Sequence, residues 1–142
     1  MELRFCNALI WDGKKLFHGE LRTEGDRISY VSPVSTLDYR NWDREIDCKG
    51  NLLMPSFKNG HTHSPMTFLR SFAEDLPLKE WLHEKVFPAE DKLTDEDCYK
   101  LTKLAVAEYY SGGTTCCCEM YGHTRAVAKA LADSGMAAGV TD

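Results

Sequence analysis

Short apolar stretches broken by turn residues fill the first fifty positions and predict strands at residues 3–10, 15–23 and 27–31. Asp12-Gly13 and Glu24-Gly25-Asp26 supply the turns, so a small antiparallel sheet is expected. Residues 32–44, of mixed polarity around Pro33, read as a loop, and residues 45–48 as one more strand before the Lys49-Gly50 turn. After residue 50 the pattern changes. The apolar run 52–57 reads as a strand leading into Asn59-Gly60-His61-Thr62-His63, and helical spacing then takes over. Leu78, Trp81, Leu82 and Val86, behind Pro77, predict a short amphipathic helix. It should stop before Pro88, because the residue preceding a proline is pushed out of the helical region.

Thr94-Asp95-Glu96-Asp97 has the form of a capping box, with acidic residues at the positive end of the helix dipole. Leu101, Leu104, Ala105 and Tyr109 then share one face, and Gly112-Gly113 ends the helix. Residues 114–120 read as a strand, 123–134 as a helix with Val127, Ala130 and Leu131 inward, and 136–141 as a further strand after Gly135. Strand, helices, strand, helix, strand is the order of parallel strands joined by helical crossovers, an α/β class. The expected division is 1–52, a small β-domain, and 53–142, the α/β part. Three strands do not close a barrel, which takes about 250 residues for eight units.

Charge narrows the range of partners. Lys+Arg 17 against Asp+Glu 22 gives a net −5, with no basic block, which argues against nucleic acid or an anionic membrane as partner. No apolar run approaches the roughly 20 residues needed to span a bilayer. Met1-Glu2-Leu3-Arg4 lacks the order of a signal peptide, so the cytoplasm is expected. Six cysteines, three of them consecutive at 116–118, make neither a spaced disulfide framework nor a C-x-x-C pair. They read as reduced thiols, and on a buried strand as small apolar filler.

His61-Thr62-His63 is the most informative feature. A strand has a side-chain period of two, so both imidazoles project to one face and, at a strand's carboxyl end, converge on one point suited to a divalent metal. The alternative is a pair of surface histidines near a turn. Parallel α/β folds place ligands at the carboxyl ends of their strands, which favours the metal. A catalytic metal needs about three protein ligands and a water position, so other ligands must come from elsewhere. His123 sits at an expected helix start. His83-Glu84 misses H-E-x-x-H because Phe87 holds the second ligand position, and His18 belongs to the small sheet. None of these three is assigned to metal. By residue type alone, Glu90 reads as a surface carboxylate, Trp81 as a helix anchor, and Arg70 and Asp75 as solvated charges.

The string Met54-Pro55-Ser56-Phe57-Lys58-Asn59-Gly60-His61-Thr62-His63-Ser64-Pro65-Met66-Thr67-Phe68-Leu69-Arg70 resembles the first barrel strand of the amidohydrolase superfamily. Glu74-Asp75-Leu76-Pro77-Leu78, Trp81-Leu82, Phe87-Pro88-Ala89-Glu90, Glu108, Gly113-Thr114-Thr115 and Glu119-Met120-Tyr121 resemble one branch of it. That branch holds the 5-methylthioadenosine/S-adenosylhomocysteine deaminases with their chlorohydrolase, cytosine deaminase and guanine deaminase-like relatives. The resemblance covers about half the chain. It implies the first strands and helices of a (β/α)8 TIM-like barrel, preceded by a small β-sandwich-like domain and incomplete in this chain.

It further implies that His61 and His63 bind zinc, or another divalent metal such as iron, with a later histidine and aspartate. Glu90 would hold the ribose hydroxyls of a purine nucleoside, with Trp81 near the pocket, since a carboxylate can accept both hydroxyl hydrogens. The implied reaction is hydrolytic deamination by a metal-activated water. The complete H-x-E and P-C-x-x-C signature of the cytidine-deaminase type is absent, since no P-C-x-x-C occurs. The chain departs from the family pattern in having Glu119 for aspartate and Asp142 where many relatives carry arginine. No catalytic residue is assigned within these 142 residues, which are expected to be inactive alone. A relative acting on triazines or pyrimidines, a non-enzymatic metal- or partner-binding module, and homo-oligomer formation stay open as alternatives.

Overall fold

A computed structural model describes residues 1–33, 41–73 and 75–142. The chain forms two units, Met1–Pro55 and Ser56–Asp142.

In the first unit, β1 (Glu2–Trp11), β2 (Leu16–Glu24) and β3 (Arg27–Ser32) run antiparallel in sequence, while β4 (Arg44–Asp47) and β5 (Leu52–Leu53) both lie parallel along β1. The sheet is therefore mixed rather than antiparallel. The stretch between residues 32 and 44 is long enough to return the chain beside its own start, which a tight turn cannot do. The loop expected at 32–44 falls largely on residues 34–40, outside the described residues. At the Asp12-Gly13 turn, Asp12 Oδ1 accepts the backbone N–H groups of Lys14 and Lys15, each at 2.9 Å. This local bond is why aspartate favours such turns.

The apolar run 52–57 is not one strand. Leu52–Leu53 pairs with β1, and β6 (Phe57–Thr62) starts a new sheet in the second unit. Pro55, which has no N–H to give to a ladder, lies between them. β6, β7 (Thr114–Met120) and β8 (Ala137–Thr141) are parallel in that order. α3 (Asp95–Ser111) and α4 (Thr124–Asp133) connect them. Cys98, Val106, Cys117, Val127, Leu131 and Met136 form the core between the helices and the central strand. The capping box is present: Thr94 Oγ1 accepts from Asp97 N–H, and Asp97 accepts from Thr94 N–H. Gly113, at φ +78°, ends α3 in the left-handed conformation glycine tolerates.

The helix behind Pro77 differs from expectation. α1 (Leu78–Glu80) opens into a π-helical turn, Trp81–Val86, and α2 (Phe87–Glu90) carries the chain through Pro88. The wider turn removes the conflict between the proline ring and the α-helical hydrogen bond that should have stopped the helix. Its face is not the apolar stripe that α-spacing predicts, since Val86 is buried while Leu78 is 69% exposed. All six cysteines are free thiols. Only the central one of the triplet acts as core filler: burial pushes the Cys117 thiol up to about 11, whereas Cys118 is exposed. No described helix is long and apolar enough to cross a membrane.

Candidate metal centre and its cavity

β6 ends at Thr62, which turns to the buried side of the sheet and leaves the histidines on either side of it facing the other way. His61 Nε2 and His63 Nε2 stand 3.0 Å apart, with the ring planes at 89° and the centroids 4.8 Å apart. His63 Nδ1 lies 2.6 Å from the Met120 carbonyl oxygen at the end of β7. A carbonyl only accepts, so Nδ1 carries the proton and Nε2 presents its lone pair. This is the outer bond by which metal-ligating imidazoles are usually oriented. Zinc–imidazole bonds of about 2.0–2.1 Å allow two nitrogens at this separation to share one ion. The donor set therefore fits a divalent cation, but as part of a site. Among the described residues no group of three or more His, Cys, Asp or Glu side chains is placed to hold a metal.

Of the remaining histidines, His123 shares a cavity with His63, and His83 and His18 do not. His83 packs edge-on against Phe87 at 5.3 Å, and His18 lies on β2. His123, the left-handed residue before α4 at φ +56°, pairs through Nδ1 with Asp95 at 2.5 Å. Arg70 is not a lone solvated charge: it forms a bidentate pair with Glu108 at 2.9 and 2.8 Å.

Beside the pair, in the second unit, is a cavity of about 810 Å³. His63, Trp81, Glu90, Met120, Tyr121 and Asp142 line it, together with apolar Met66, Leu82, Val86, Phe87 and Leu93. An apolar pocket of this size with a few convergent polar groups is the usual form of a small-molecule site. The Tyr121 hydroxyl donates to Glu90 Oε1 at 2.7 Å. Burial, and then this bond to Glu90, push the tyrosine far above its ordinary value, so it remains a donor. That bond holds one carboxylate oxygen and fixes the direction of the other.

Glu119 is buried on β7, where Ser64 N–H donates to its Oε2 at 2.9 Å and Oε1 at 3.2 Å. Burial raises its carboxyl above the ordinary range, and the bonds from Ser64 and the nearness of His63 only partly offset this. The structure thus brings His61 against His63, and His63, Trp81 and Glu90 to one cavity. Sequence reasoning missed Tyr109, Ser64 and the pairing of Tyr121 with Glu90. The position of Tyr121 just past a parallel strand's carboxyl end is the signal that could have identified it.

Paired imidazoles at the carboxyl end of the first strand of a parallel α/β unit stand where such folds place their ligands. Residues 52–141 match the description "Amidohydrolase family", and the chain belongs to that family. It is 40% identical over 138 residues to a 5-methylthioadenosine/S-adenosylhomocysteine deaminase of Moorella thermoacetica, covering 96% of this chain and 32% of that protein. To the protein of the same name from Acetivibrio thermocellus it is 51% identical over 96 residues, covering 68% of this chain and 22% of the relative. Among solved structures, an adenosine deaminase from Xanthomonas campestris with bound zinc superposes with a TM-score of 0.87 at 31% identity, covering 96% of this chain and 32% of that one. The chain thus spans about a third or less of the length of these relatives.

Proposed function

We propose that residues 56–142 are the opening strands and helices of a (β/α)8 barrel, and residues 1–55 part of a small β-sandwich-like domain, in a zinc-type enzyme that deaminates an adenosine-like nucleoside. The observation that carries this reading is the 3.0 Å approach of His61 Nε2 to His63 Nε2 at the edge of a cavity that also holds Glu90 and Trp81. Relatives named 5-methylthioadenosine/S-adenosylhomocysteine deaminase support a nucleoside substrate.

His61 and His63 would supply two of the ion's ligands, and further ligands would come from later strands. When bound, the ion supplies Lewis-acid activation of water for attack at the amino-bearing purine carbon, with ammonia leaving. This chain's own residues do the holding. His63 keeps its Nδ1 proton on Met120 and its Nε2 lone pair forward. Glu90, steadied by Tyr121, has an oxygen free to accept from ribose hydroxyls. Trp81 and the apolar walls exclude water and take the base or the thioether side.

The test is calorimetric titration of the chain, in the presence of zinc, with 5-methylthioadenosine and with adenine, which lacks ribose. Glu90→Gln should weaken nucleoside binding about tenfold or more, the scale of a hydrogen bond to a charged acceptor, and leave adenine unaffected. An equal loss for both ligands would contradict the assignment of Glu90. Zinc binding with nucleoside binding absent would favour a metal-binding module instead.

A further inference from the structure

We propose that Tyr109 and Glu119 are positioning residues for the His61–His63 pair, gripping the residues on either side of His63 from the buried side of the sheet. The inference rests on the cation-site reading above and adds to it groups that never touch the ion.

Tyr109 belongs to α3, and its hydroxyl bonds both to Thr62 Oγ1 and to Ser64 Oγ, the latter at 3.0 Å. A phenolic oxygen can donate once and accept as well, so one group serves both flanks of His63. Ser64 N–H is then held by Glu119 Oε2 at 2.9 Å and Oε1 at 3.2 Å. Thr62, Ser64 and Glu119 are 8%, 2% and 1% exposed, so water does not stand in for a lost partner. Breaking one member leaves another buried polar group unsatisfied, which makes the network act as a unit.

The geometry ties this network to the imidazoles rather than to packing alone. Thr62 lies between the two histidines, so fixing it sets the relation of one ring to the other. Ser64, held at both its side chain and its N–H, fixes the backbone leaving His63. Met120, next to Glu119 on β7, anchors the His63 ring at 2.6 Å. One strand end thus controls both the backbone and the ring of a single residue. Apolar side chains would fill the space behind β6 equally well, and none of them could hold these two residues in one orientation.

The experiment is zinc titration of the chain by calorimetry, paired with the nuclear Overhauser contact between the His61 and His63 rings in the metal-free protein. Tyr109→Phe and Glu119→Gln should each lower zinc affinity about tenfold, the lower end of what outer-shell partners contribute, and weaken the ring–ring contact. Tyr110→Phe removes the neighbouring hydroxyl on the same helix, which bonds to Ser134 O at 3.0 Å, and should leave both readings unchanged. Wild-type zinc affinity and an intact ring contact in Tyr109→Phe would overturn the proposal. If the wild-type chain binds no zinc through His61, the cation reading fails, and the ring contact alone decides the clamp: lost in Tyr109→Phe upholds it, retained overturns it. Should Tyr109→Phe fail to fold, Ser64→Ala removes one hydroxyl only and carries the same test with a smaller loss.

Discussion

Among the described residues each unit buries one glutamate almost completely, Glu20 at 0% exposure in the first and Glu119 at 1% in the second, and the two are satisfied in opposite ways. Glu20 meets two guanidinium groups. Arg4 Nε and Nη2 donate to Oε2 at 3.0 and 2.6 Å, and Arg22 Nε donates to Oε1 at 2.8 Å. Arg22 in turn lies over the Tyr30 and Trp42 rings, 4.4 and 5.3 Å from their centroids. Burial alone would raise the Glu20 carboxyl, but the hydrogen bonds from Arg4 and Arg22 outweigh it and hold the group below its ordinary range. Glu119 has its hydrogen bonds from Ser64, and burial leaves it above that range. A carboxylate neutralised within its own sheet is complete as a structural element. One met by a neutral donor, the Ser64 N–H next to His63, is instead tied to the backbone that carries the paired imidazoles. The same residue type thus marks scaffold in one unit and candidate site in the other.

The comparison breaks most readily at Glu20. Glu20→Ala would remove the carboxylate shared by buried Arg22 and part-buried Arg4, which keeps Glu45 at 2.7 Å, and a loss of about 3 kcal/mol in urea-unfolding free energy, the lower end for breaking a buried pair, is expected. A loss of less than about 1 kcal/mol would show that the network is not held by its charge. The pH dependence follows from the direction of the shift. The folded pKa of Glu20 lies below the ordinary 4.5, so its contribution is present above that value and is lost as pH falls through the depressed folded one. Glu20→Gln should flatten this acid limb of the stability profile, while an unchanged limb would contradict the assignment. The smallest effect is expected at Arg70, whose bidentate pair with Glu108 is exposed on both sides. Solvent screens such a pair, so Arg70→Met should leave the unfolding midpoint where it is. A clear shift there would blur the distinction between buried and exposed pairs on which the comparison rests.

Local chemistry made much of the second unit legible in the sequence. Thr94 with Asp97, the glycine pair at 112–113 and the alternation of strands with helices each have a short-range cause, and α3, β7, α4 and β8 follow from them. The period of two around Thr62 likewise put both imidazoles on one side. What was not legible depended on register or on distance along the chain. β4 and β5 lie parallel to β1 because of pairing partners roughly 40 residues away, which no local pattern encodes. The π-helical turn that carries the chain through Pro88 relieves a conflict that propensity rules treat as a stop. Glu119 stands out in the sequence only as a departure from the family's aspartate, and Tyr109 only as one position on a helix face. Their role emerges only when α3 and β7 pack behind β6.

The central claim is that His61 and His63 jointly hold one cation, and the most direct measurement is zinc titration of the purified chain and of His61→Ala. The account predicts saturable binding of one zinc per chain that His61→Ala abolishes, with unfolding unchanged in the absence of metal. Zinc binding by His61→Ala equal to that of the unaltered chain, or no binding by either, would contradict it.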